Sequence, residues 1–464
     1  MKTTEYKEVS VIHHIDNLTH CLKGFTMKIT DAATKKSLKA SFKDGIFAGA
    51  MTGFTQEYFT PFLLLLGGTV RHVGFLSALP NLTASLGQLI SAEIVTWLGS
   101  RKKTITLFVF LQAVMLIPMI GVALYKHSSP ALFIAFVVLF TCFGALANPA
   151  WGSLMSDLVP TGQRGHYFGW RNKTLSFVTI GTMFAAGILL FFMKKADVYW
   201  GFALLFACAF IWRIISWYFL TKMHEPPLHS PKENHFTLFQ FLARLHTSNF
   251  AQFVLFVSLM NFSVNVAAPF FNVFMLKDLK FNYLLYTVIN LTATFTTYCT
   301  IARWGRHADK VGNLKIIQTT APLIAFIPVL WIINRNTLFL IVAQVFSGFL
   351  WAGFNLCSST FIYDAVSPEK RTRCIAYFNT LNGTALCLGA ITGGFLLPVL
   401  PPLFGHKMLT LFLISSLLRI CVGLTLPRKL KEVRQVEHIK SDELFFSMIG
   451  IRPMIGIERK TIRY

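Results

Sequence analysis

Apolar residues run for about twenty positions at a stretch along most of this chain, and short polar clusters between the runs carry most of its charge. A helix of about 20 residues, rising ~1.5 Å per residue, spans the ~30 Å hydrocarbon core of a bilayer, so each run predicts one transmembrane helix. Six runs lie near 42 to 66, 73 to 98, 104 to 124, 131 to 155, 174 to 193 and 198 to 220. Six more lie near 251 to 276, 283 to 302, 316 to 333, 337 to 363, 374 to 398 and 405 to 426. The pattern therefore predicts an all-α polytopic membrane protein with about 12 transmembrane helices in two pseudo-symmetric six-helix halves, residues 42–220 and 251–426. A polar tail, 1–41, precedes them; a connector, 221–250, contains Glu225-Pro226-Pro227 and Ser230-Pro231-Lys232; a basic tail, 427–464, ends the chain. Part of that tail is apolar (Leu444, Phe445, Phe446, Met448, Ile449), which suits either an anionic leaflet or a solvated segment.

Composition agrees with the pattern. The chain is 54% hydrophobic and 14% charged, against about 25% charged for soluble domains. A formal charge of +23 would suggest nucleic acid on a soluble face, but here the bases sit in loops and tails, and no nucleic-acid partner is expected. With the N-terminus inside, most of the 43 Lys and Arg fall on inner segments, which places both termini in the cytoplasm and the chain in the inner (plasma) membrane. The first 40 residues lack an apolar signal core. Cys142, Cys208, Cys299, Cys387 and Cys421 fall inside apolar runs without a CxxC pair and read as reduced core residues. His13, His14, His20 and Cys21 match no common metal spacing, so no metal is expected.

The two halves repeat. An offset of 207 residues aligns Asn148 with Asn355, Asp157 with Asp364, Val159 with Val366 and Arg164 with Arg371. Offsets of 206 to 210 align Arg213-Ile214 with Arg419-Ile420, Pro61-Phe62 with Pro269-Phe270, Glu57 with Asn265, and Tyr167-Phe168 with Tyr377-Phe378. Matches in the first, fourth, fifth and sixth spans, in order, argue for a parallel duplication.

Glu57 is the one acid deep inside a predicted span, and a carboxylate there must face protein or water. It either takes up protons or pairs with a cationic solute, or it is a protonated carboxyl that serves packing alone. Gly45, Gly49, Thr52, Gly53, Gln56, Glu57 and Thr60 form one small, polar stripe. Ser258, Asn261, Asn265, Pro269 and Asn272 form its counterpart. Tight packing and cavity lining both produce such stripes, and the amides favour a cavity, with Gln56, Glu57, Asn148, Asn261, Asn265 and Asn355 as substrate or coupling residues. Arg213 and Arg419, seven residues from the inner ends of their helices, read as snorkelling cations.

Gly305-Arg306-His307-Ala308-Asp309-Lys310-Val311-Gly312-Asn313 with Lys315 resembles the loop motif G-x-x-x-D-x-x-G-[RN]-[RK] of the major facilitator superfamily. Gly99-Ser100-Arg101-Lys102-Lys103 is a degenerate first copy, with Thr96 in the aspartate position, Ala92 in the first glycine position and Glu93 as a substitute acid. The run Asn148-Pro149-Ala150-Trp151 through Asp157, Gln163-Arg164-Gly165 and Tyr167-Phe168-Gly169 is similar to an uncharacterised bacterial branch of that superfamily. The resemblance covers 40 to 426 and implies secondary active transport of a small solute by alternating access, ion (proton) coupled, as symporter or antiporter. It implies a cytoplasmic gate of ion pairs drawn from Gly99, Arg101, Asp157, Arg164, Gly305, Asp309, Gly312, Asp364 and Arg371, broken when the site opens inward. The seven-residue spacing of Asp157 and Arg164, and of Asp364 and Arg371, favours pairing across helices; solvated loop charge is the plainer alternative. No nucleotide-binding loop, filter segment or catalytic constellation appears, so an ATP-driven pump, a channel and an enzyme are disfavoured and no cofactor is expected. The rival is a transporter-like membrane assembly factor or sensor without transport activity.

Overall fold

The computed structural model describes residues 32–126, 128–159, 164–194, 196–226, 241, 248–366 and 368–433. These form helices throughout, and ten helical segments are long and apolar enough to cross a membrane. In order they are α1 (Ala32–Thr55) and α2 (Phe59–Leu65), α3 (Val70–Leu98), α4 (Arg101–Val114) and α5 (Leu116–Tyr125), α6 (Pro130–Leu158), α7 (Arg164–Met193) and α8 (Val198–Thr221). The second half follows as α9 (Asn249–Asn265) and α10 (Ala268–Val273), α11 (Tyr283–Val311), α12 (Asn313–Ala325) and α13 (Ile327–Ile333), α14 (Thr337–Ala365), α15 (Pro368–Leu396) and α16 (Lys407–Thr425). Taking α1–α2, α4–α5, α9–α10 and α12–α13 each as one broken span gives twelve. The two below the apolar threshold are α1–α2 and α11, and α11 is polar through a threonine series. Thr287, Thr292, Thr296, Thr297 and Thr300 each return their hydroxyl to a carbonyl four residues earlier, which keeps the helix satisfied in apolar surroundings.

Proline sets the four breaks. Pro61, Pro118, Pro269 and Pro328 have no N–H for the carbonyl four residues back, and each helix breaks within two residues of that carbonyl. First and third spans break in both halves, so the duplication extends to backbone irregularities. The halves meet along two seams, α3 against α15 and α7 against α11, while α1 packs on α7 and α8, and α9 on α15 and α16.

Glycine makes two of these approaches close. A Cβ on Gly53 would sit 2.7 Å from the Thr179 carbonyl of α7, and one on Gly393 of α15 would sit 2.1 Å from the Val266 carbonyl beside α9. Gly45 and Gly49 likewise face α7, against Arg171, Leu175 and Thr179. The glycine part of the first-span stripe is therefore helix packing and not cavity lining, because a cavity wall would leave open space where these Cβ positions find the backbone or side chains of α7. Apolar packing fills the rest, with Phe62, Phe133, Phe202 and Phe206 in one half and Phe271, Trp331 and Phe412 in the other.

Candidate transport site and basic-end cluster

At the end of the bundle carrying Arg101 to Lys103 and Arg306 to Lys310, the two halves build corresponding clusters. α3 stops because Gly99 adopts a left-handed conformation (φ 64°), which a side chain would strain. Ser100 caps α4 and donates its hydroxyl to Glu225 at 2.5 Å, and the Arg101 amide donates to the same carboxylate at 2.7 Å. Glu225 thus closes the open N–H groups of the first turn, where the helix dipole favours an anion. Burial opposes ionisation of Glu225, yet hydrogen bonds from Ser100 and the Arg101 and Lys102 amides, with the Arg101 charge, hold its pKa below the ordinary value. The Arg101 side chain, 3% exposed, reaches Asp157 of α6 at 2.6 Å and the Pro226 carbonyl at 2.9 Å.

In the second half Gly312 (φ 86°) ends α11, Asn313 donates to Asp364 at 2.7 Å, and the Leu314 amide donates to Glu432 at 2.7 Å. Glu225 and Glu432 are 207 residues apart, as Asp157 and Asp364 are. A Cβ on Gly312 would meet Glu432 Oε2 at 2.4 Å, so this glycine answers both to its φ and to the carboxylate. One half holds its cluster with a buried cation and the other with a neutral amide. Asp157 pairs across helices with α4; the side chains of Arg164 and Arg371 lie outside the described residues. Asp309 is exposed on the last turn of α11, about one turn beyond Gly305. Glu93 is exposed and apart from the Arg101 cluster, where Glu225 supplies the second carboxylate.

Deeper in the first half lies a buried charged group. Asp44 accepts from Ser216 at 2.6 Å and faces Arg171 at 3.8 Å; Arg213 donates to Ser216 at 3.1 Å and to Gln112 at 2.5 Å. Arg171 also lies over the Trp151 ring at 4.6 Å, in the space Gly45 leaves open. In the second half Arg419, 2% exposed, donates to Ser415 at 3.1 Å and reaches the Val264 and Ile324 carbonyls at 3.3 and 3.5 Å. Neither Arg213 nor Arg419 snorkels. Both turn inward because partners inside the bundle accept from them: Ser216 and the Gln112 side-chain oxygen for Arg213, with Asp44 behind Ser216, and Ser415 and two backbone carbonyls for Arg419. Asp44 escapes a reading of apolar runs because α1 begins about ten residues before the run does, at Ala32, so this acid lies in mid-helix.

At the opposite end the halves are sealed together. Pro61 frees the Glu57 carbonyl, and Tyr286 of α11 donates to it at 2.7 Å. Tyr58, fully buried, donates to the Met183 carbonyl at 2.6 Å and lies 2.9 Å from the Thr287 hydroxyl. Lys277 reaches the Gly68 carbonyl at 3.4 Å, Phe75 meets Phe395 edge-on, and Gly74 rests on Ala390 and Gly394. Toward the basic end, Asn379 still bonds Gln88 across the α3/α15 seam at 3.1 Å. The α7/α11 seam there opens into a cavity of about 1040 Å³, lined by Asn172, Lys173, Ser176, Phe177, Phe295 and Tyr298 among others. Cys299 lines it too and is exposed, as is Cys421, so these two are not core residues.

A second cavity of about 310 Å³ lies within the second half, between α9, α14 and α15, and brings Asn261 and Asn355 together with Asn379, Asn382 and Ser358. Asn261 donates to Asn382 at 2.7 Å, whereas Asn265 turns back to the Asn261 carbonyl at 3.1 Å. Asn148 is exposed on α6, and Gln56 is exposed beside half-buried Glu57 at the sealed end. Among the described residues the Glu57 carboxylate has no hydrogen bond or ion pair, and no group of His, Cys, Asp and Glu could hold a metal; His13, His14, His20 and Cys21 lie outside them.

The model of the Major Facilitator Superfamily matches residues 45–390 and 259–447. The chain belongs to the major facilitator superfamily. Among solved structures, a mutant of the nucleoside transporter NupG is similar at a TM-score of 0.69 and 13% identity, over 84% of this chain and 100% of that one. The D-xylose-proton symporter follows at 0.68 and 13%, over 88% and 100%. A bacterial homologue of the human lysosomal transporter Spinster, in an inward-facing and unoccupied conformation, gives 0.58 and 12%, over 86% and 98%. At such identities the likeness is one of fold. No curated protein matches by sequence. For this superfamily member the basic-end clusters fall at the loop after the second span of each half, where its two motif copies lie.

Proposed function

We propose that the chain is a secondary active transporter that carries a small solute across the inner membrane by alternating access, coupled to protons, and that the structure represents its inward-open state. The asymmetry between the two ends carries this reading. One end is sealed by tyrosines and glycines that join the halves, and at the basic end, which the positive-inside bias assigns to the cytoplasm, the α7/α11 seam is open. Rocking the halves about a midplane site, with the seal contacts breaking as the α7/α11 seam closes, would exchange the two arrangements.

Glu57 is the coupling residue in this reading. Its carbonyl is held by Tyr286 of the other half while its carboxylate lacks a partner among the described residues. Gain or loss of a proton there acts on the kink that seals the halves. In proteoliposomes with an imposed pH gradient, wild type is expected to accumulate solute, and Glu57→Gln to keep solute exchange while losing accumulation. Full gradient-driven uptake by Glu57→Gln would remove Glu57 from the coupling role. The rival, an assembly factor or sensor, requires instead that no solute accumulates and that cross-linking traps a stable protein partner.

A further inference from the structure

The second-half cavity has a composition that specifies chemistry. Of the eleven described residues lining it none is titratable; four are asparagines and two are serines. Each amide offers donors and an acceptor side by side, the arrangement that matches two neighbouring hydroxyls of one solute. Ser358 is 6% exposed, and its hydroxyl has no hydrogen-bond partner among the described residues. An unmatched buried hydroxyl is costly to leave empty-handed and calls for a polar occupant. Asn355 lines the same space with its amide exposed, while Asn261 and Asn382 are bonded to each other and so hold one another in place. Phe354 and Phe378 add apolar faces to the same space. At about 310 Å³ it has the volume of roughly ten waters, enough for one sugar-sized ring.

We propose that this cavity, framed by Asn261, Asn355, Asn382 and Ser358, binds the solute, and that the solute is an uncharged polyhydroxylated ring of monosaccharide or nucleoside size. The inference rests on the transporter reading above and narrows its substrate class. Hydroxyls of the ring engage Asn355 and Ser358, and its C–H face lies on Phe354 or Phe378. A charged solute would enter a space without a counter-charge and is disfavoured.

The test is thermal unfolding of the detergent-solubilised full chain against pentoses, hexoses, nucleosides and their deoxy analogues, alongside organic acids, amino acids and organic cations, with proteoliposome uptake of every hit. A neutral polyhydroxy solute is expected to stabilise wild type. Asn355→Ala and Ser358→Ala are expected to raise the half-saturating concentration roughly five- to tenfold each. Ser358→Ala should not lower the melting temperature of the unliganded protein, because its hydroxyl bonds nothing there. Removing the ring hydroxyl that meets these groups should weaken binding more strongly still. Binding and uptake of charged solutes alone would overturn the substrate class and leave transport standing. A neutral solute bound equally by wild type and both variants would overturn the site. If no solute of any class is bound or accumulated, the inference and the transporter reading fall together.

Discussion

The two halves place an arginine at matching depth in their last spans and neutralise it by different means. Arg213 belongs to a group with Asp44, Arg171, Ser216 and Gln112, in which one carboxylate faces Arg171 directly and is linked to Arg213 through the Ser216 hydroxyl. Among the described residues no carboxylate joins the hydrogen-bonded group around Arg419. This arginine lies where α9 and α12 end, against the Val264 and Ile324 carbonyls, and its neighbour Ser416 donates to the Ala325 carbonyl. Helix C-termini carry partial negative charge, and Pro328 leaves the Ile324 carbonyl without its helical partner. A broken helix can therefore do in one half what an aspartate does in the other. The repeat preserved the cation while the compensating negative charge changed its source.

That comparison is most exposed at Asp44. Asp44→Ala leaves Arg171 and Arg213 buried without a counter-charge and is expected to lower stability by about 3–5 kcal/mol. Arg419→Met leaves no orphaned charge, only helix-end carbonyls, and is expected to cost about 1–2 kcal/mol. Chemical unfolding of both variants in the same detergent ranks them. If Arg419→Met proves as damaging as Asp44→Ala, helix ends do not account for Arg419.

Much of this architecture was legible in the chain. Run lengths gave the spans because lipid demands about twenty apolar residues per crossing. The 207-residue offset located Asp157 and Asp364, which do occupy equivalent places in the basic-end clusters. Asp44 was not legible, since Lys35, Lys36 and Lys39 interrupt the apolar run and conceal that the helix has already begun. Glu225 and Glu432 were missed although the same offset relates them; each lies beyond its last span, where an acid looks like loop charge until the helix it caps is known. The stripes misled in part because small residues appear the same in sequence whether a helix or a solute lies against them. In the first span Gly45, Gly49 and Gly53 met α7, while in the second half Gly389 and Gly393 are on α15 and the seventh span is free to present Asn261 to a cavity.

The basic-end clusters sharpen the comparison at a smaller scale. Arg101→Ala removes a buried cation lying between Asp157 and Glu225 and is expected to cost about 1.5–3 kcal/mol, the range of hydrogen bonds to charged groups. Asn313→Ala removes a neutral amide bonded to Asp364 and Thr360 and is expected to cost about 1 kcal/mol. Melting temperatures of the two variants decide the order, and equal losses would mean that the cation adds nothing to what the amide supplies.

The smallest effect is one of pH. Glu225 has its pKa depressed in the folded chain, against a burial effect of opposite sign, by the Ser100 hydroxyl, the α4 amides and Arg101. A depressed carboxylate adds stability that is fully present above its ordinary pKa of 4.5 and is lost as pH falls through the lower folded value. Acidification from pH 6 into that window should therefore lower the melting temperature of wild type more than that of Glu225→Gln, which has no proton to take up at this site. Above pH 6 the two should differ by a constant offset, the cost of exchanging a charged cap for a neutral one. Parallel curves through the acid window would show that the cap on α4 draws nothing from the charge of Glu225, and the correspondence with Glu432 would then rest on geometry alone.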